Sequence, residues 1–195
     1  MITHAARGGR RIAATLLLSL TLALTACGGP EATTSPSSPA TTSVSATVKP
    51  ASVKISKINA ESSLVASGIN TDGSIATPSV HQPMQASWFD QSTVPGKPGG
   101  AVLLGHYDGD GKPGIFYRLK ELKVGDEVDV KLSDGKDLKF TVSKTQQVDK
   151  NRLPKEQIFG ETTEPELRLI TCGGAFDKAV HSYTENTVVF AKLKA

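Results

Sequence analysis

From about residue 51 to the end of this chain, apolar residues alternate with polar ones instead of recurring at helical spacing. Val128 and Val130 alternate, Ser133-Asp134-Gly135 interrupts, and Leu138, Phe140 and Val142 alternate again. Successive side chains of a strand point to opposite faces, so a period of two builds a strand with one buried face. An Asp-Gly pair between two such runs closes a hairpin. Val53, Ile55 and Ile58 open a similar pattern and Leu167, Leu169 and Thr171 repeat it, while Ala101 to Leu104 and Val188 to Ala191 are short continuous apolar runs. Many short strands punctuated by Gly and Pro predict an all-β fold closed into a barrel, not an α/β sheet. Short helices are expected only over 113–119 and 154–159.

The segment before this domain has a different character. Residues 1–26 carry Arg7, Arg10 and Arg11, then an uncharged apolar stretch from Ile12 that ends in Leu24-Thr25-Ala26-Cys27. A basic start, an apolar stretch too short to span a bilayer and a small residue before the cut describe a secretory signal peptide. Small residues ahead of Cys27 are similar to the lipobox of bacterial lipoproteins, which makes Cys27 a candidate lipidation site. Ordinary cleavage nearby or an uncleaved anchor are the alternatives. Arg10-Arg11 hints at twin-arginine export, though the rest of that motif is missing. Residues 27–50, rich in Ser, Thr and Pro, offer too little apolar surface to offset the entropy of ordering. They are expected to form a disordered tether ahead of a folded domain at 51–195. The protein is thus expected outside the cytoplasm, on the outer face of the cell membrane.

The net charge of +3 comes from a chain whose three signal-segment arginines face no acids in residues 1–26. Beyond them basic and acidic residues balance, so no basic stripe argues for nucleic acid.

Only two cysteines are present. If Cys27 carries lipid, Cys172 has no disulfide partner, and its setting in Leu169-Ile170-Thr171-Cys172-Gly173-Gly174 is that of a thiol at a strand end. It is either a buried small hydrophobe or a nucleophile. A nucleophilic thiol needs a base or cation close by. His106 has the best context among the histidines, since the run 101–104 ends in Gly105-His106-Tyr107-Asp108. A histidine at a strand end is held by the scaffold and open to a cleft, although His106 on these grounds can equally be structural. His81 and His181 sit in turn-like polar stretches and read as surface residues.

The pair LLGHYDG at 103–109 and LRLITCGGAFD at 167–177 resembles the sortases, cysteine transpeptidases of Gram-positive cell envelopes. The Cys-Gly-Gly-x-Phe-Asp continuation, with Tyr183 and Asn186 to Val189 after it, is most similar to the actinobacterial class F branch. Further agreement lies in Val53-x-Ile55-x-x-Ile58, Gly96 to Gly100, Phe116 to Leu119 and Leu122-x-x-Gly125-Asp126, so the resemblance spans nearly all of 51–195. It implies an eight-stranded sortase-type β-barrel with short helices.

The implied chemistry makes Cys172 the nucleophile on a peptide carbonyl of an LPxTG-like sorting signal and His106 the proton donor to the leaving amine. An incoming amine, such as that of a peptidoglycan precursor, resolves the thioester. The implied partners are sorting-signal-bearing secreted proteins and the membrane, reached through an N-terminal lipid or signal anchor. No cofactor or metal is called for. The family also uses an arginine to bind substrate and steady the oxyanion. Here Asn186 or Thr187 stands at that place, and only Arg118, Arg152 and Arg168 follow the signal segment. Arg168 shares a strand face with Cys172 by alternation and is the first candidate, with a surface ion pair as its alternative reading; Arg118 is the second, and Arg152 reads as loop surface.

Thr171 is a candidate for positioning substrate, Gly173 and Gly174 are expected to form a turn, and Asp108 either orients His106 or belongs to an acidic loop. Trp88 reads as core or groove rim. An L,D-transpeptidase would show Ser-x-Gly-Cys-x-Arg, which this chain lacks. A lipid-tethered peptide-binding module that keeps the barrel without turnover is the rival from another class.

Overall fold

The computed structural model describes residues 47–195, so the signal segment, Cys27 and most of the 27–50 tether lie outside the described residues. The described residues form ten strands: β1 (Pro50–Ile55), β2 (Ala60–Ser67), β3 (Ala86–Phe89), β4 (Gly99–Gly105), β5 (Asp108–Gly109), β6 (Lys112–Pro113), β7 (Glu127–Leu132), β8 (Asp137–Asp149), β9 (Pro165–Asp177) and β10 (Ser182–Leu193). A single turn and a half of helix, α1 (Lys155–Phe159), lies between β8 and β9. Eight strands close a barrel in the order β1-β2-β3-β4-β9-β10-β8-β7, with β7 bonded back to β1. The small strands β5 and β6 pair only with each other. The closed barrel expected from the alternation, with the eight strands that the family resemblance implies, is the fold observed.

The alternating residues fill the barrel. Val128, Val130 and Leu132 of β7 meet Leu138, Phe140 and Val142 of β8, with Leu103, Leu167, Leu169 and Val189 from the other side, all in one buried cluster. Burying each such side chain stabilises the fold by about 1.5–3 kcal/mol. Trp88 belongs to this core, its indole N–H donating to the Thr93 carbonyl. The hairpin between β7 and β8 turns at Ser133 to Lys136, where Gly135 takes φ +88.

A second buried cluster explains the two continuous apolar runs. Val102 and Leu104 of β4, Ile170 of β9, and Val188 and Phe190 of β10 face outward and are covered by Ile158 of α1. Strands buried on both faces read as unbroken apolar stretches. The pairings of β2 with β3 and of β4 with β9 are parallel; all other barrel pairings are antiparallel.

Two local expectations need correction. The segment 113–119 is not an α-helix but a run of turns leading into a 3₁₀ turn at Leu119–Glu121. Its amides bond elsewhere: Gly114 N–H donates to Tyr107, Ile115 to Pro83 and Phe116 to His106. The Gly173-Gly174 pair does not turn the chain; β9 continues through it to Asp177. A β-bulge absorbs the glycines, since Tyr183 pairs with Phe176 but Glu185 with Gly173. Gly174 takes φ +74 there, a conformation that a side chain disfavours. The helix expected over 154–159 is present as α1.

Candidate active site

The parallel pairing of β4 with β9 builds the site. Its register runs from Gly99 opposite Pro165 to Leu104 opposite Ile170. Two residues further along each strand direction stand His106 and Cys172, on the outward face already shared by Leu104 and Ile170. Both side chains line one cleft of about 520 Å³, roofed by the 73–77 loop and by the segment from Lys150 to Phe159. Leu104, Ile158 and Ile170 give its base an apolar character. Smaller cavities beside Gly99 and Gly100 and beside Val48 and Leu138 contain neither cysteine nor histidine.

The Cys172 thiol is free and half-buried. Asn186 of β10 is its cross-strand partner and lines the same cleft. The Lys150 ammonium lies 3.5 Å from Sγ and donates to the Ser182 hydroxyl at 3.0 Å. His106 is half-buried too, with Nε2 2.6 Å from the Pro78 carbonyl oxygen. A carbonyl only accepts, so Nε2 carries a hydrogen and Nδ1 is the nitrogen left to exchange a proton. The imidazole's own backbone is pinned by Phe116 N–H, which donates to the His106 carbonyl at 3.0 Å. Gly114 allows this approach, because a Cβ there would run into that carbonyl.

Asp108 does not orient His106. Its carboxylate accepts the Tyr183 hydroxyl, and Tyr183 packs edge-on against Tyr107 and Phe176. Burial first, and then the Asp108 carboxylate, push the Tyr183 phenol well above its ordinary value.

The three arginines after the signal segment are all committed away from the cleft. Arg168 shares the outward face with Cys172, as alternation requires, but it is only 4 % exposed and its guanidinium turns under α1. There Nη1 donates to the carbonyls of Ile158 at 2.5 Å and Gly160 at 3.0 Å, and Nη2 to Glu166 at 3.3 Å. The fit against β4 is close, since a Cβ at Gly100 would stand 2.5 Å from its Cζ. Arg118 forks onto Glu121 at the surface, and the exposed Arg152 lies beside Asp149. The structure thus brings Cys172 and His106 together and leaves Arg168 outside the residues that line their cleft. Thr171 lines it, and its buried hydroxyl has no hydrogen-bond partner among the described residues. His81 pairs with Asp110 on the surface, and His181 sits in the turn between β9 and β10 at φ +48. Among the described residues no three His, Cys, Asp or Glu side chains gather as metal ligands.

Lys150 is the cleft residue that sequence reading misses. It stands in the polar run Asp149-Lys150-Asn151-Arg152, where nothing local marks one cation above another. Only the sheet order gives it meaning: β8 pairs with β10, and β10 with β9, so the end of β8 falls near the Cys172 end of β9.

Comparison with known proteins bears on the fold and the family. No curated protein is detectably similar in sequence. Among solved structures, a Clostridium perfringens Sortase D5 transpeptidase is 17 % identical at a TM-score of 0.56, over 75 % of this chain and 79 % of that one. Sortase A from Corynebacterium diphtheriae is 21 % identical at 0.58, over 75 % of this chain and 61 % of that one. Sortase C-1 from Actinomyces oris is 20 % identical at 0.59, over 74 % and 73 %. At these identities the likeness is one of fold. The family model for the Sortase domain matches residues 53–194, and with that match the chain belongs to the sortase family of cysteine transpeptidases.

Proposed function

We propose that this sortase cleaves an LPxTG-like sorting signal and transfers the acyl part to an amine at the cell envelope. The observation that carries the reading is the pairing of Cys172 and His106 at neighbouring strand ends over one largely apolar cleft. In this reading Cys172 passes its proton to His106, the Sγ thiolate attacks the scissile carbonyl carbon to form the C–S bond, and the C–N bond breaks as His106 delivers that proton to the leaving nitrogen. An amine acceptor, such as that of a peptidoglycan precursor, then attacks the thioester and gives its proton back to His106. The apolar base beside Ile158 and Ile170 suits the aliphatic residue of such a signal. Arg168 serves the site from behind, by holding the carbonyls of Ile158 and Gly160 and with them the α1 wall. The Cys-Gly-Gly-x-Phe-Asp sequence supports a class F-like branch, and Leu24 to Cys27 supports anchoring through a lipid on Cys27 at the outer face of the membrane.

The test is intact mass spectrometry of the protein mixed with a panel of LPxTG-like peptides, with and without an amine acceptor, alongside Cys172→Ala. An acyl adduct confined to Cys172 and discharged by added amine is the expected result. Peptide capture without any covalent adduct would instead describe a binding module.

A further inference from the structure

Acyl transfer to a thiol passes through a tetrahedral species whose oxygen bears negative charge, and its sulfur enters and leaves as an anion. Such charge is stabilised by donors already aimed at it in a site that excludes water. The three arginines hold other partners, so the charge needs another source.

Lys150 has the required geometry. Its Nζ is 3.5 Å from Cys172 Sγ, and the side chain lines the cleft that His106 also lines. The ammonium is held in place from the far side: it donates to Ser182 Oγ at 3.0 Å, and that hydroxyl in turn donates to the Tyr183 carbonyl. Its backbone is fixed as well, because Lys150 opens a 3₁₀ turn capped by Asp149, whose carboxylate accepts Asn151 N–H at 2.8 Å. No carboxylate among the described residues lies within ion-pair distance of Nζ. Lys139, Lys192 and Lys194 all have such a partner. Among the described residues, the partners of this half-buried ammonium are the Ser182 hydroxyl and the Cys172 thiol, of which the thiol is the one that readily becomes an anion. Lys155 also borders the cleft but is exposed and is not bonded to Sγ.

We infer that Lys150 is a catalytic residue of this chain, the fixed cation that stabilises the charged sulfur and the oxyanion of the acyl-enzyme step. Lys150 acts through its charge, and the proton that moves passes from Cys172 by way of His106 to the leaving nitrogen. The catalytic part of this inference rests on the proposed transpeptidation, whereas the charge pairing does not.

The experiment separates the two. Alkylation of Cys172 in the full chain is followed by peptide mass, so that Cys27 does not contribute, using neutral iodoacetamide and anionic iodoacetate. A cation at 3.5 Å favours the anionic reagent, and its removal changes the ratio of the two rates on the order of tenfold. Lys150→Met is expected to lower the iodoacetate-to-iodoacetamide ratio by that factor, and Lys150→Arg to retain it within about threefold. A merely structural lysine would leave the ratio unmoved, because unfolding exposes the thiol to both reagents alike. With a sorting-signal peptide, Lys150→Met is expected to lower kcat far more than it changes KM. An unchanged ratio in Lys150→Met overturns the inference, as does a lowered ratio with undiminished kcat. A lowered ratio in a protein whose wild type acylates on no peptide upholds the charge pairing and removes the proposed function instead.

Discussion

Replacing Arg168 by methionine separates a structural guanidinium from a chemical one. The substitution keeps much of the length and removes the charge together with its donors to Ile158 O, Gly160 O and Glu166. Two carbonyls lose their partners in a region where Ile158 is fully buried, at about 1–3 kcal/mol each. Glu166 lies at the edge and regains water, and the removed guanidinium no longer carries its own desolvation penalty, which offsets part of the loss. The net expectation is roughly 3 kcal/mol of lost stability, a fall in Tm of about 6–12 °C for a chain of this size. Urea and thermal unfolding measure it, with Arg168→Lys expected between the two because one ammonium satisfies one carbonyl. The rate of Cys172 alkylation by a neutral reagent, measured well below Tm, is expected within about twofold of wild type, since Arg168 does not line the cleft. A variant that keeps its stability within about 0.5 kcal/mol and yet forms no acyl-enzyme would refute this reasoning and put the guanidinium in the chemistry.

Two further outcomes follow from geometry elsewhere. Gly174→Ala places a Cβ at φ +74, 2.7 Å from Thr184 Oγ1 and 2.8 Å from Glu185 Cγ, and is expected to cost about 2 kcal/mol or more in urea unfolding; a loss under about 0.5 kcal/mol would mean that the bulge relaxes freely. Tyr183 is held above its ordinary value by burial and by Asp108, so the fold favours the neutral phenol. Its contribution is therefore complete below about pH 10 and is lost as pH rises past the unfolded value toward the folded one. At pH 10.5 tyrosinate absorbance near 295 nm is expected well below that of the urea-unfolded chain, with the difference reduced in Tyr183→Phe; equal absorbance would contradict the Asp108 pairing.

What the sequence reveals is the part of the structure governed by local periodicity. Val128, Val130, Leu138 and Phe140 alternate because one sheet face packs inward, and the Asp134-Gly135 pair sits where the hairpin must turn. Cys172 and His106 are legible for a similar reason, since each ends an apolar run. The 113–119 segment is misread because its helix-compatible residues bond across space to Tyr107, Pro83 and His106, which no propensity records. Gly173-Gly174 looks like a turn and becomes a bulge because Ser182 to Glu185 pair alongside it. The face of Arg168 is correctly read from alternation, but its destination depends on where α1 lies. Lys150 is silent in sequence because its meaning comes entirely from the order of three strands.

The parallel contact of β4 with β9 carries a consequence for when the thiol becomes dangerous. Parallel neighbours cannot be joined by a tight turn, and here the intervening chain includes β7 and β8, which lie elsewhere in the barrel. The pair His106 and Cys172 therefore exists only once a contact of long sequence separation has closed, an event that comes slowly in folding. A newly made chain, still extended, carries an ordinary thiol with neither its imidazole nor its ammonium at hand. In the proposed mechanism barrel closure is the arming step, since a chain that has not yet joined β4 to β9 has no assembled site with which to attack a peptide.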